Sequence, residues 1–379
     1  MNIYFIYAIK RQSKSVNEGV LNMGFKSRQK NLTFSDLEKT STDKKNSSKE
    51  TLKNMEKVVA WDKIESILLR DYPVGDKKEG NKAYSPLMLF KCLLLQQWFR
   101  IKSDPELESQ INDRESFQTF LGLSSTDASP DHSTFSKFRK RLTKGKFDVI
   151  VGDVLNQFAA QGLSINEGVA VDARIVKSAS SPKSNKKLEE IKARRESPEG
   201  KVDKNGNPLK FSRDIESNWV TKNDKHYYGL KEHTSVDAKY GFVLATVLSK
   251  ASVNDTNYLP YCTLYSRHTK HKLAIVYADK GYHGEPNRSF LAMNNFKDGI
   301  MRKNEKNAKL TELEIDRNKK ISKVRYIVEQ YFGLSHLHND AQRARFTTIA
   351  KNNIDIWFRQ VAFNMKRGFK IIQRKEATA

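Results

Sequence analysis

The sequence predicts an α/β (α+β) fold, in which an all-α helical region precedes a mixed sheet flanked by helices. Apolar residues recur at helical spacing up to about residue 160, after which branched and alternating residues indicate strands. A hairpin pattern at residues 226–248 predicts antiparallel pairing, and an apolar run ending at Asp279 predicts a buried strand. Helical spacing returns at residues 321–369, so helices are available to cover the sheet.

Composition indicates a globular protein with a polyanionic partner. The chain has 379 residues, enough for two or three domains, and 38% of them are hydrophobic. Its 68 Lys and Arg against 44 Asp and Glu give a net charge of +24, which favours nucleic acid as the partner. No apolar run approaches the roughly 20 residues of a membrane span. Two cysteines, Cys92 and Cys262, exclude a disulfide framework and a four-cysteine zinc site, so we expect a cytoplasmic protein.

The chain begins with a segment that is rich in Lys, Ser, Asn and Thr. We interpret residues 1–54 as a basic, flexible N-terminal arm, because they show little periodicity after the first nine residues. Met23 is a second possible start, so the first 22 residues are either native or leader.

Residues 55–160 are predicted to form a helical DNA-binding domain. Ser85-Pro86 and Asp104-Pro105 each supply a helix start, and a third short helix covers residues 116–121. The segment 129–142 follows, with an apolar face and, elsewhere, the basic side chains of Lys137, Arg139, Lys140 and Arg141. This pattern suits a helix-turn-helix element that lies in a DNA groove; a solvated surface helix is the alternative.

Residues 165–375 are predicted to hold the sheet. A strand is expected at 168–178, an antiparallel hairpin at 226–248, a helix at 254–265 and a strand ending at Asp279. The segment at about 177–225 is too polar for a core, so we interpret it as an insertion that contains one helix, 188–195.

Two helices are predicted to close the chain. The first, 321–336, buries an apolar face that includes Val324 and Val328, and helical spacing places Arg325, Glu329 and His336 beside that face. The second, 354–369, has a long apolar stripe that we assign to the core.

Three acidic residues form a candidate metal site. Asp172 lies in the first strand, Asp279 at the end of a later strand, and Glu329 on the following helix. Hard divalent cations take oxygen ligands, and two such ions can assist in-line displacement at phosphorus. Asp279 alone also fits ordinary turn capping, and its neighbour His283 is either a phosphate contact or an exposed turn residue.

Several motifs, in this order, resemble the DDE transposases of bacterial insertion sequences, in particular the insertion-sequence-5-like group. The similar stretches span roughly residues 80–370 and are YSPLMLFKCLLLQQW, DHSTFSKFRKRL, VDARIVKS, YYGLKEHTSVDAKYGFV, NDTNYLP, YADKGYHG and VRYIVEQYFG. The resemblance implies a ribonuclease-H-like catalytic core. It also implies cleavage at the element ends and 3′-hydroxyl strand transfer into a target.

The same resemblance assigns roles to individual residues. Asp172, Asp279 and Glu329 would be the catalytic, metal-binding triad for Mg²⁺ or Mn²⁺, with two ions expected. Residues expected to contact DNA are Lys137, Arg139, Lys140, Arg141, Lys280, His283, Arg325 and His336. The family commonly has Tyr and Lys where this chain has Ser322 and His336.

Partners and alternatives complete the interpretation. The expected partners are insertion-sequence ends and target DNA, with self-association during synapsis and no membrane. A bacterial, nucleoid-associated location follows from the resemblance. Two alternatives are a catalytically decayed transposase that acts as a DNA-binding repressor, and a metal-dependent nuclease that only hydrolyses DNA.

Overall fold

The computed structural model describes most of the chain from Ser47 onward. The described residues are 47–70, 72, 74, 82–124, 126–165, 167–197, 214–268, 273–305 and 308–378. The first 46 residues of the arm predicted at 1–54 and part of the polar insertion, 198–213, therefore lie outside the described residues. None of the helices that are described combines the length and the apolar character of a membrane-spanning segment.

The described chain forms two compact units, and the first contains short helices. It comprises the chain up to Gln96 together with Ile101–Arg141. Its helices are α1 (Ser47–Val58), α2 (Trp61–Leu69), α3 (Pro86–Trp98, whose last two residues belong to the second unit), α4 (Asp104–Asp113), α5 (Glu115–Leu121) and α6 (His132–Arg141).

Helix α1 corrects the expected end of the N-terminal arm. Residues 47–54 were predicted as flexible, yet they are helical, and the side chains of Leu52 and Met55 are buried. The buried face of α1 consists of Leu52, Met55 and Val58. So short an apolar stripe is hard to recognise within a polar sequence. The first unit therefore begins at or before Ser47.

The second unit comprises Gln97–Arg100 and the chain from Leu142 onward. Helix α7 (Lys144–Ala160) was predicted to belong to the helical domain, but it packs within this second unit. The ring of Phe147 lies 5.5 Å from that of Trp357 and 5.0 Å from that of Phe358. Aromatic burial against the last helix thus moves the boundary from about residue 160 to residue 142.

A six-stranded mixed sheet forms the centre of the second unit. Strands β1 and β3 pair antiparallel, β3 also pairs with β2 and β4, and β1, β5 and β6 run parallel in that order. The strands are β1 (Gly168–Lys177), β2 (Asn218–Lys222), β3 (Lys225–Asp237), β4 (Val243–Lys250), β5 (Ile275–Ala278) and β6 (Lys297–Ile300). The mixed sheet confirms the predicted fold class and the hairpin of β3 and β4.

Helices cover the sheet as predicted. They are α9 (Leu259–Tyr265), α10 (Glu285–Met293), α11 (Glu312–Asn339) and α12 (Ile349–Thr378), with short 3₁₀ turns at 255–258, 266–268 and 280–282. Helix α8 (Asn185–Glu196) is the helix predicted within the polar insertion. The predictions missed β2, β6 and α10. Both strands are short, and neither shows a clear alternation of apolar residues.

Helix α11 packs on one face of the sheet. Val328 and Tyr331 form a buried cluster with Ala170 of β1 and Val236 of β3. Because strand side chains alternate, Asp172 and Arg174 lie on the same face as Ala170. The fold thus directs Asp172 towards α11.

Candidate active site

The parallel pairing of β1 and β5 brings two of the predicted acids together. Val171 and Ala278 are the last paired residues of these strands, and Asp172 and Asp279 each follow them directly. Strand β5 ends there, so Asp279 leaves the sheet at the carboxyl end of its strand, where α/β sheets bind ligands. Neighbouring strands lie about 4.8 Å apart, so adjacency in the sheet accounts for this pair.

Helix α11 carries the third acid, Glu329, and Arg325 of the same helix connects it to Asp172. Nη2 of Arg325 donates a hydrogen bond to Oδ2 of Asp172 at 2.8 Å, and the same nitrogen lies 3.8 Å from Oε1 of Glu329. Glu329 is one helical turn beyond Arg325, and its side chain is 53% exposed, whereas that of Asp172 is 20% exposed. One guanidinium therefore links the sheet acid to the helix acid.

The environment of Asp172 disfavours its charged form. Burial raises the pKa of Asp172 above its ordinary value, and the Asp279 carboxylate raises it further. Arg325 and the hydrogen bond from the backbone N of Ala173, at 2.8 Å, act in the opposite direction. A nearby cation thus favours the ionised form of this carboxyl against the effect of burial.

The chemistry of the three acids fits a divalent cation. Their carboxylate oxygens are hard donors, the type that Mg²⁺ and Mn²⁺ prefer. Within the described ranges, no three His, Cys, Asp or Glu side chains lie close enough together to form a ready-made metal cluster. The cation that does neutralise this site in the structure is the guanidinium of Arg325.

The position of Arg325 differs from the prediction. The helical pattern placed Arg325 beside the inward face and Val324 within it, but Arg325 is buried and Val324 is only partly buried. Its pairing with Asp172 explains this rotation, since a buried charge needs a partner. The expectation that Arg325 contacts DNA therefore gives way, in this structure, to a contact with the acids.

A buried charge network behind Asp172 was missed by the sequence analysis. Arg174, two residues along β1, donates to Oε2 of Glu232 from Nη2 at 2.7 Å and to the carbonyl O of Phe332 from Nη1 at 3.1 Å. Arg359 of α12 donates to the same Glu232 oxygen at 3.3 Å. Phe332 lies in α11 three residues after Glu329, so Arg174 ties this helix to the sheet beside the site.

The turn after Asp279 contains a buried tyrosine, Tyr282, and the two predicted DNA contacts Lys280 and His283, which are more accessible. Tyr282 is almost fully buried, and burial followed by the proximity of Asp172 raises its pKa well above 10. Lys280 is exposed, as a phosphate contact requires. His283 packs its Nε2 against the Arg288 guanidinium, and burial, followed by the charges of Arg288 and Arg302, lowers its pKa. Burial and the two arginines therefore disfavour the protonated form of the His283 ring.

The other predicted histidines lie apart from the triad. His336 is exposed on α11 and contacts the side-chain amide of Gln342. His233 is buried in β3 and stacks on Tyr258 at 4.0 Å, on the sheet face opposite Asp172.

Helix α6 of the first unit divides the predicted basic residues into two groups. Lys137, Lys140 and Arg141 are exposed, but Arg139 is buried. Its guanidinium donates to both carboxylate oxygens of Asp104, at 2.6 and 2.8 Å, and to Oε1 of Gln96 at 2.9 Å. The structure thus corrects the prediction for Arg139, whose donors are used inside the unit.

The connection before α6 also differs from the predicted element. Residues 122–131 join α5 to α6, whereas a helix-turn-helix has a turn of three to four residues. The exposed basic face of α6 remains, but the short turn that defines the motif is absent from this connection.

Comparison with protein families identifies two adjoining domains. The model described as "Transposase domain (DUF772)" matches residues 40–141, and the one described as "Transposase DDE domain" matches residues 165–365. The second match spans more than half of the chain and contains all three acids.

Individual proteins point in the same direction. The chain is 31% identical over 234 residues to "Transposase for insertion sequence element IS1106" of Neisseria meningitidis serogroup B, which covers 61% of this chain and 76% of that protein.

Two solved structures are weakly similar. A piggyBac transposase synaptic complex with hairpin DNA has 9% identity and a TM-score of 0.37, covering 86% of this chain and 82% of its own. A pre-cleavage Mos1 transpososome has 10% identity and a TM-score of 0.18, covering 87% and 98%. With TM-scores below 0.5, these similarities add nothing to the family match.

Proposed function

The chain belongs to the DDE transposase family, and we propose that it cuts DNA at the ends of an insertion sequence and joins the resulting 3′-hydroxyl ends to a target. One observation supports this proposal above the others. The Arg325 guanidinium contacts Asp172 and Glu329 directly beside the end of the strand that leads to Asp279. Asp172 and Asp279 each follow the last paired residue of two adjacent strands, and Glu329 lies on the helix that Arg325 links to Asp172.

The acids are suited to hold divalent metal ions, which this family uses. We propose Mg²⁺ or Mn²⁺, two ions, with Asp172, Asp279 and Glu329 as protein ligands. When bound, such ions activate the attacking oxygen and stabilise the leaving oxygen in a displacement at phosphorus. Glu329 is the exposed member, so its side chain has the freedom to turn towards an ion at the two aspartates.

The surrounding residues orient the acids. Arg325 favours the ionised form of Asp172, the form that a metal ligand requires. Arg174 anchors the backbone of α11 close to Glu329 through the carbonyl of Phe332. These contacts limit the rearrangement that the acids need when substrate arrives.

Positive charge supports DNA as the partner. The chain carries +24, and exposed Lys137, Lys140 and Arg141 project from α6 of the first unit. Lys280 is exposed directly after Asp279. We propose that these residues contact backbone phosphates, and that two copies of the chain associate when two ends are brought together.

The test is cleavage of labelled DNA carrying the element ends, with Mn²⁺ or Mg²⁺ supplied. Glu329→Gln and Asp279→Asn remove one acid each and keep the side-chain size, so we expect cleavage to fall at least a hundredfold while DNA binding persists. Glu312→Gln, an exposed acid at the start of the same helix as Glu329, is the control and should cut normally.

The products separate the possible activities. Joined products in which a 3′ end is covalently attached to target DNA support transposition. Cleavage without joining would indicate a hydrolytic nuclease. Binding without cleavage in the unaltered protein would contradict the proposed catalysis.

A further inference from the structure

A cavity of about 230 Å³ lies within the second unit, away from the three acids. Its walls come from the segment Gln97–Arg100, the end of α11 and the second half of α12. His338 in its wall is nine residues beyond Glu329, about 13 Å along the helix axis. The polar part of the lining consists mainly of Arg100, His338, Lys366, Arg367 and Lys370.

Four of these residues carry positive charge that forms no direct ion pair with a described carboxylate, although the carboxylate of Asp237 raises the pKa of Arg367 against the larger effect of burial. Within the described ranges, Arg100, Lys366, Arg367 and Lys370 form no ion pair with Asp or Glu. Lys366 Nζ donates to the carbonyl O of Trp98 at 3.3 Å, and Arg367 Nε donates to that of Tyr240 at 2.7 Å. These two side chains therefore donate to neutral carbonyl groups.

Arg359 in the same wall provides a contrast. Its guanidinium pairs with Glu232 at 3.3 Å and with Asp355 at 3.5 Å. The fold thus pairs the buried arginine of this wall with carboxylates, whereas Arg100, Lys366 and Lys370 face the cavity without such a partner among the described residues. An arrangement of this kind costs electrostatic free energy unless an anion occupies it.

The electrostatic cost is visible at Lys366. Burial, followed by the positive charges of Lys370 and Arg100, lowers the pKa of Lys366 to about 8. Burial, Arg100, Lys366 and Lys370 likewise lower the pKa of His338. Like charges that face one cavity thus destabilise each other's charged forms, and a bound anion would reverse this effect.

The cavity wall is held in place before any ligand binds. Trp98 Nε1 donates to the carbonyl O of Ala362 at 3.1 Å, and Asn339 Nδ2 donates to that of Gln97 at 2.8 Å. Arg100 has a φ of 57°, the left-handed region that residues other than glycine rarely adopt. Nη2 of Arg100 lies 2.7 Å from Nδ1 of His338, across the mouth of the cavity.

We propose that this cavity binds a phosphate group through Lys366, Lys370 and Arg100, and that in the working protein the phosphate belongs to a DNA backbone. Lys370, Arg100 and His338 are exposed at its mouth, so a strand can pass there while one phosphate enters towards the half-buried Lys366. The phosphate chemistry stands on the cavity alone, whereas its assignment to DNA rests on the proposed function.

The first test uses inorganic pyrophosphate and the full chain. We expect pyrophosphate to raise the melting temperature of the unaltered protein. The double variant Lys366→Gln/Lys370→Gln should lose most of this shift. The control Lys319→Gln/Lys351→Gln removes the same charge from exposed positions of α11 and α12 outside the cavity and should keep it. Equal shifts in the two double variants would overturn the proposal.

Calorimetry provides a readout that a general loss of charge does not produce. At pH 8, pyrophosphate binding should take up protons, because an anion favours the charged form of Lys366. Lys366→Gln should reduce this proton uptake. The difference in uptake between His338→Gln and the unaltered protein measures the part that is due to His338. An uptake that is unchanged in Lys366→Gln would contradict the proposed role of this lysine.

DNA binding distinguishes the source of the phosphate. Each phosphate contact contributes about 0.9 to the slope of log affinity against log salt. The magnitude of this slope should therefore fall by about one more in the cavity double variant than in the control double variant. Lost pyrophosphate binding with an unchanged DNA slope would support a free-phosphate site and overturn the DNA assignment. Failure of DNA cleavage by the unaltered protein affects only the proposed function.

Discussion

Arg325 donates a hydrogen bond from Nη2 to Oδ2 of Asp172 over 2.8 Å, across the junction between helix α11 and strand β1. The same guanidinium lies 3.8 Å from Glu329 one turn later in the helix. A cation of the protein therefore stands between two acids of the proposed metal site. This relationship makes Arg325 a positioning residue whose removal has a measurable signature.

We expect Arg325→Gln to shift the pH dependence of DNA cleavage. Arg325 lowers the pKa of Asp172 against the effects of burial and Asp279, so its loss raises that pKa further. The acidic limb of the rate profile, measured from initial rates with Mn²⁺, should move to higher pH. Arg325→Lys keeps the charge and should restore part of the difference. An unshifted limb in Arg325→Gln would show that Asp172 does not titrate in this limb.

Glu232 is expected to be essential for stability. Burial raises its pKa, but Arg174 and Arg359 outweigh that effect, and the net pKa lies below its ordinary value. Glu232→Gln leaves two largely buried arginines without their common partner, which costs about 3–5 kcal/mol. Urea denaturation followed by circular dichroism measures this loss. Asp316→Asn, which breaks the exposed pair with Lys320, is the control and should leave the midpoint unchanged.

Stability of the second unit should fall in mild acid because of His233. Burial lowers the pKa of this ring to about 4, below the 6.5 expected in the unfolded chain. The preference for a neutral His233 ring therefore contributes at most about 3 kcal/mol to the free energy of unfolding. This contribution is fully present above pH 6.5 and is lost as the pH falls towards 4.

His233→Gln tests this pH dependence. The variant loses the stack on Tyr258 and should be less stable at pH 7, but its stability should fall less steeply between pH 7 and 4. His226→Gln, an exposed position on the same strand, should keep the slope of the unaltered protein. Parallel curves for His233→Gln and the unaltered protein would assign the acid sensitivity elsewhere.

Arginines two residues apart in helix α6 should behave differently. Arg141→Gln, like Lys137→Gln, removes an exposed charge, so DNA affinity and its salt slope should fall by about one phosphate contact while the melting temperature stays. Arg139→Gln breaks the buried contacts with Asp104 and Gln96 and should instead destabilise the first unit by about 3–5 kcal/mol.

Filter binding at several salt concentrations and thermal melting separate the two effects. A stable Arg139→Gln variant with a reduced salt slope would return this residue to the DNA-contact group. An Arg141→Gln variant with an unaltered slope would place the exposed face of α6 away from DNA.

Local patterns explain the accuracy of the strand and helix predictions around the site. Branched residues define β1, a turn with Gly241 at φ 76° defines the hairpin, and six apolar residues precede Asp279. Asp172, Asp279 and Glu329 therefore lie in or directly after the strands and helix that the sequence predicted for them. Strands β2 and β6 and helix α10 were not found, because four- or five-residue strands with polar residues and a nine-residue helix carry weak periodicity.

Long-range pairing explains what the predictions missed. In the sequence, Arg139 and Arg141 look alike, because both are basic residues of one helix. They differ in the fold because Asp104 and Gln96, from two earlier helices, lie beside Arg139. The same holds for Glu232, whose partners Arg174 and Arg359 are 58 and 127 residues away in the chain. Helix periodicity alone does not show which charges are neutralised.

Strand alternation, helical spacing and turn residues are local properties of the chain, so the fold class, the family and the order of Asp172, Asp279 and Glu329 could be predicted from the sequence. Three features depend instead on contacts between distant parts of the chain: Arg325 turns inward, Arg139 is buried, and Lys366 and Arg100 face a common cavity. These outcomes depend on which distant side chains share a low-dielectric volume. There, the balance of burial and pairing decides whether a charge is compensated or left to attract a ligand.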